Sequence, residues 1–191
     1  MSSFSRNRRS TNSPRRLRAL GTVLALTLVS GAALADGAHP FHFTAYVDAP
    51  GGDDVVAGHY QAALVELKRR SGNMDLDSAE TNTNRCVAYA MTRQWQQARV
   101  ACDAAVRAAK ERRNMSPSWW TWAPTPADDD LACAYANRAV LHWLSQDDAA
   151  AQKDLAKAAE LSPQASFVAQ NVVALRIHHA VTLAAASAPR S

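Results

Sequence analysis

Glycine is scarce in this chain, with seven residues in 191, and aromatic side chains make up only 7%. No phosphate loop, G-x-G-x-x-G fingerprint or G-x-S-x-G elbow occurs. Nor do paired carboxylates stand between apolar residues in the way that general acid–base chemistry requires. Cysteine is limited to three residues, enough for one disulfide with one thiol left over. Cys133 with a distant histidine makes a poor nucleophile, since a lone cysteine among helices packs as a small hydrophobe. Long apolar runs are missing apart from Ala19 to Leu34, which is short for a membrane span. His39 and His42 are spaced H-x-x-H but have no partner cysteine and no helical context. His178 and His179 fall on adjacent faces of a helix and cannot easily share a metal. These absences argue against an enzyme, a cofactor or a metal centre.

The amino-terminal region is a different kind of segment. Arg6, Arg8, Arg9, Arg15, Arg16 and Arg18 precede the apolar run, which ends in Ala33-Leu34-Ala35. A positive n-region, an apolar h-region and an A-x-A site make a secretory signal peptide over 1–35, with the mature chain starting at Asp36. No cysteine follows for lipid attachment. The formal charge of +4 belongs to this leader. Without its six arginines, 15 basic side chains stand against 17 acidic ones, a net charge of −2. Nucleic-acid binding thereby loses its main warrant. The expected location is the periplasm of a Gram-negative bacterium or its surroundings, with no stable membrane insertion after cleavage.

The mature length suits one domain with a sizeable core. Residues 36–55 are punctuated by Pro40, Pro50, Gly51 and Gly52 and read as an irregular, loosely ordered arm, with a short extended piece at Phe41 to Val47. Helical periodicity then takes over. Ala63, Leu64 and Leu67 form an apolar stripe, extended a turn by Val56 and Tyr60, which predicts a helix from Val56 to Arg70. Ala79 to Thr92 and Gln94 to Arg112 predict a helical hairpin. Leu131 to Leu144 and Ala149 to Leu161 predict a second. Ala165 to Ala185 predicts one long final helix, and 187–191 a frayed tail.

Self-similarity ties these helices together. Asn137-Arg138-Ala139, with Tyr135, Leu141, Ala151, Leu155, Ala158 and Pro163, repeats features of Asn84-Arg85-Cys86 with Tyr89, Trp95, Ala98 and Ala105. Asn171 follows Asn137 by 34 residues, while Ala98 and Ala151 are 53 apart. A 34-residue period with small residues at helix crossings resembles the tetratricopeptide repeat, or TPR. The extra 19 residues place an insertion at 111–130. The match departs from the family at Asn82, at His142, at Asp148, and at Lys110, which stands where a proline is usual.

The resemblance implies an all-α fold: a short right-handed superhelix of TPR-like helical hairpins over 56–186. A half-repeat would precede it and the last helix would cap its open end. It also implies a concave groove lined by the first helix of each pair, where a protein or peptide partner binds. Asn84, Arg85, Asn137, Arg138 and Asn171 would lie near that groove, where their side chains could either bond a ligand backbone or serve the fold itself. The implied function is an exported, envelope protein–protein interaction module, with self-association as a further outcome.

The insertion holds Trp119, Trp120 and Trp122 between Pro117, Pro124 and Pro126. Two readings stand. The indoles form a binding surface, for a partner or, as an alternative function, for envelope glycans; or the loop folds back and buries them. Asp128-Asp129-Asp130 would cap the following helix; it lacks the spacing and glycine of an EF-hand loop. Within the first hairpin, Cys86 and Cys102 stand about equally far from the turn at Arg93-Gln94-Trp95, on inward-facing positions. They are therefore expected to form the disulfide, leaving Cys133 as a buried thiol.

Overall fold

The computed structural model describes residues 40–69, 78–115 and 125–187. The leader, residues 116–124 of the tryptophan insertion and the carboxyl-terminal tail lie outside the described residues, and with them the cleavage site and Trp119, Trp120 and Trp122. Among the described residues every regular element is a helix, and no helix is long and apolar enough to cross a membrane.

Among the described residues seven helices follow one another: α1 Gly52–Val56, α2 Tyr60–Arg69, α3 Ala79–Met91, α4 Trp95–Met115, α5 Pro126–Leu144, α6 Asp148–Leu161 and α7 Ser166–Ser187. α3 packs on α4 and α5 on α6 as two hairpins, and α4 packs on α5 to join them. α2 lies on α3, and α7 lies on both α5 and α6. This is an all-α arrangement of repeated hairpins, with shorter helices on one side and one long helix on the other.

The helix expected from Val56 to Arg70 begins only at Tyr60, as α2, and Val56 instead ends the separate α1. Gly58 has φ +79° and breaks the pattern between them, a conformation that glycine adopts without steric cost. Val56, read as part of the buried stripe, is 63% exposed. The helix that precedes α2 is the short, five-residue α1.

The two hairpin turns repeat each other residue for residue. The hydroxyl of Thr92 donates to the Ala88 carbonyl and that of Ser145 to the Leu141 carbonyl, each at 2.8 Å. The next residues, Arg93 and Gln146, have φ 59° and 62°. Their N–H groups donate to Ala90 and Trp143, and those of Gln94 and Asp147 donate to Tyr89 and His142. A left-handed residue just past a helix satisfies otherwise orphaned carbonyls. The geometry persists although neither turn has a glycine and the second lacks a turn aromatic.

α5 begins five residues earlier than the apolar pattern suggests. Thr125 is its N-cap, and Pro126 occupies the first turn, where no N–H partner is needed. Thr125 and Asp128 form a reciprocal capping box, with N···O distances of 3.3 and 2.9 Å. Asp128 therefore does serve the helix start, from the third helical position.

Small residues fill the crossings. Ala98, Ala101 and Ala105 on α4, with Ala132, Ala136 and Ala139 on α5, are buried. Alanine both favours helix and lets axes approach closely. At the α3–α4 crossing Cys86 and Cys102 are joined by a disulfide, with Cα atoms 4.8 Å apart. Cys133 is a free, buried thiol on α5.

Candidate functional site: an asparagine ladder on α3, α5 and α7

Three asparagines come together on one face, one from each of α3, α5 and α7. Asn84, Asn137 and Asn171 are essentially fully buried. A buried carboxamide has to be hydrogen-bonded or it destabilises the fold. Helix backbones cannot satisfy these groups, because their own N–H and C=O groups are already paired. The partner is the amino-terminal arm.

Each carboxamide bonds both backbone groups of one arm residue. Asn171 Oδ1 accepts from the His42 N–H at 2.7 Å, and its Nδ2 donates to the His42 carbonyl at 2.9 Å. Asn137 does the same for Thr44, at 2.8 and 2.7 Å. Asn84 does so for Tyr46, at 2.8 Å in both directions, and also donates to the Pro50 carbonyl at 3.2 Å. The bonded residues are 42, 44 and 46, the two-residue period of an extended chain. The side-chain amides thus act as the neighbouring strand that the arm lacks. The arm runs against the order of the repeats, from α7 towards α3.

The intervening residues face the helices. Phe41 is 2% exposed, and its ring lies 4.3 Å from that of Trp143. Phe43 packs against all three apolar clusters of the molecule, and Ala45 against the cluster formed by α1, α2 and α3. The segment expected to be loose is a seated part of the core.

At the α3 end, the arm meets charge. The Tyr46 hydroxyl donates to Asp130 Oδ1 at 2.8 Å. Arg112 donates to Asp130 Oδ2 at 2.9 Å and bonds both oxygens of Glu80. Burial, then the Asp130 and Cys133 groups, push the Tyr46 phenol well above its ordinary range, so it stays a donor. Cys133 lies beneath, hydrogen-bonded with Tyr46 and Thr44, and burial pushes its thiol up to about 12. It is protonated and inert while the arm is in place.

Past Val47 the arm turns sharply into α1. A Cβ on Gly52 would stand 1.9 Å from the Tyr46 carbonyl oxygen. Only glycine permits the arm to pass this close to the helix start.

The two arginines of the repeated Asn-Arg pair go elsewhere. Arg138 forms a fork with Asp154 of α6, at 2.7 and 2.9 Å, and reaches Asp103 of α4 at 2.9 Å. It clamps three helices, and the buried Asp154 depends on it. Arg85 donates to Asn82 Oδ1 at 3.0 Å and lines a hollow of about 520 Å³ between α3 and α4 with Tyr89, Gln97 and Val100. Adjacent helix positions point about 100° apart, so Asn and Arg in sequence cannot both face the arm. Periodicity alone could have separated them. Among the described residues no cluster of histidine, cysteine and carboxylate side chains could hold a metal.

No family model matches the chain, and comparison with curated proteins and with solved structures brought no match.

Proposed function

We propose that this chain is an exported, TPR-like scaffold of the bacterial envelope whose groove binds an extended segment of another protein. One observation carries the reading: three buried asparagines on successive first helices each grip the N–H and C=O of alternate residues in an extended segment. Main-chain recognition of this kind does not require that the segment belong to the same chain. The segment seen in place is the chain's own, so the arm serves as an internal occupant. The chemistry proposed is binding, and burial keeps the nearest thiol, Cys133, protonated.

The test is capture of envelope proteins on the chain as purified, compared with a variant carrying Asn84→Ala, Asn137→Ala and Asn171→Ala. A partner held by the wild type and lost by a still-helical variant supports the reading. Equal capture by both, or capture of nothing, rejects it. The same envelope preparation settles location, since an amino terminus at Asp36 is expected by mass spectrometry.

A further inference from the structure

The asparagines read only backbone, so any selectivity must come from the side chains that the face accepts. Three arm side chains are received in distinct ways. Phe41 enters the apolar core beside the Trp143 ring. Phe43 sits where the three apolar clusters meet. Tyr46 places its hydroxyl on a carboxylate already fixed by Arg112. His42 between them is exposed and contributes backbone only. Val47 beyond them is also exposed, at 50%.

Resting on the peptide-binding reading above, we propose that the partner is an extended protein segment of the form Phe-x-Phe-x-x-Tyr, which enters by displacing the arm. The two phenylalanines supply apolar burial, and the phenol supplies a directional bond to Asp130. A phenol is favoured there over a carboxylate, because Asp130 would repel a second negative charge. A phenylalanine would leave Asp130 Oδ1 without this donor. The spacing fixes direction as well: the phenol must lie at the α3 end and the aromatic pair towards α7. Cys133 reports the exchange, because it is buried and hydrogen-bonded with Thr44 and Tyr46.

The arm is an intramolecular competitor, present at an effective concentration of roughly millimolar order. Weakening it makes binding of a short outside peptide easier to see. Thr44→Pro in the otherwise complete chain removes the N–H that donates to Asn137 and leaves every residue of the helical face unchanged. The probes are a labelled peptide of residues 40–48, its Tyr→Phe and Phe→Ala forms, and a scrambled peptide of the same composition. Binding is read by fluorescence anisotropy, arm position by alkylation of Cys133, and folding by circular dichroism.

Thr44→Pro should make Cys133 reactive, and the native peptide should bind and protect it again. The Tyr→Phe peptide should bind roughly tenfold more weakly, from loss of a hydrogen bond to a charged group. Either Phe→Ala peptide should bind at least tenfold more weakly, and the scrambled peptide should not bind. If Thr44→Pro loses helix, His42→Pro takes its place, since His42 is exposed and gives up only the N–H to Asn171. Equal binding of native and scrambled peptides would overturn the proposed pattern while leaving the extended-segment reading intact. An open Cys133 with no peptide bound would overturn both. A thiol that stays shut in both proline variants would show the arm to be fixed structure and sink the displacement.

Discussion

Asn137 and Thr44 stand 93 residues apart in the chain and exchange two hydrogen bonds, at 2.8 and 2.7 Å. A carboxamide has one acceptor and one donor side, which is what the backbone of an extended residue presents in complement. Asn137→Ala should leave the Thr44 N–H and C=O and their surroundings unsatisfied, and cost about 1–3 kcal/mol in urea unfolding. Asn137→Asp keeps the acceptor but loses the donor, so it should also destabilise. The carboxylate would face the Thr44 carbonyl, and in the acid range, where it protonates, the variant should recover. A stability of Asn137→Asp that matches wild type at neutral pH would show that the second bond contributes nothing.

The Cys86–Cys102 bridge closes a separation of 16 residues. In the chain-entropy view it stabilises by about 3 kcal/mol. Replacing both cysteines with alanine should lower the unfolding free energy by that order, with the hairpin retained, because Ala90, Ala98 and Ala101 still pack the crossing. Peptide mapping without reductant should yield the Cys86–Cys102 pair, and Cys133 should alkylate only slowly in the folded chain.

Acid should weaken the charged end of the site first. The Arg112 hydrogen bonds hold the Glu80 carboxyl below its usual range. Asp128 is lowered too: burial raises it, but the Thr125 backbone N–H and Arg113 outweigh that. For groups depressed on folding, stability is present above the unfolded value and is lost as pH falls through the folded one. The melting temperature should therefore be flat near neutrality and fall as the pH drops below about 4, the ordinary range of carboxylates. Arg112→Gln should lower the neutral plateau and flatten that acid limb. An unchanged acid limb in Arg112→Gln would mean that Glu80 does not carry the dependence.

Much of this architecture is legible in the residues because helices advertise themselves through spacing. The hairpins, the disulfide and the three asparagines all follow from periods of about 3.6 and 34 residues. What periodicity does not reach is the arm. A segment of seven residues whose partners are side chains 38, 93 and 129 positions away carries no local signal of its own. It therefore reads as irregular. The available signal is indirect: a buried asparagine at the same place in three helices requires a partner, and alternating Phe41, Phe43 and Ala45 supplies a face. The split of α1 from α2 was also hidden, because Val56 and Tyr60 continue the stripe across Gly58. The family resemblance puts Arg85 and Arg138 near the groove with the asparagines, while helical rotation turns them to Asn82 and to Asp154 and Asp103.

Gly52 and Gly58 make a controlled pair for the arm. Alanine at Gly52 would bring its Cβ 1.9 Å from the Tyr46 carbonyl oxygen and 2.7 Å from that of Val47. Both atoms are backbone, so neither can swing aside, and the turn between the arm and α1 must move. At Gly58 nothing lies within 4 Å of the added carbon, but φ is +79°. The penalty there is conformational, about 1–2 kcal/mol, and it stays local to the α1–α2 junction. Gly52→Ala should thus destabilise more than Gly58→Ala. It should also pull Tyr46 from Asn84 and Asp130, so that alkylation of Cys133 under native conditions accelerates. Gly58→Ala should lower the melting temperature without changing that alkylation rate. Hydrogen exchange gives the independent check, with the Tyr46 amide losing protection in the first variant and keeping it in the second. If both variants leave Cys133 equally shut, the tight passage at Gly52 does not hold the arm in register, and the asparagine ladder alone must do so.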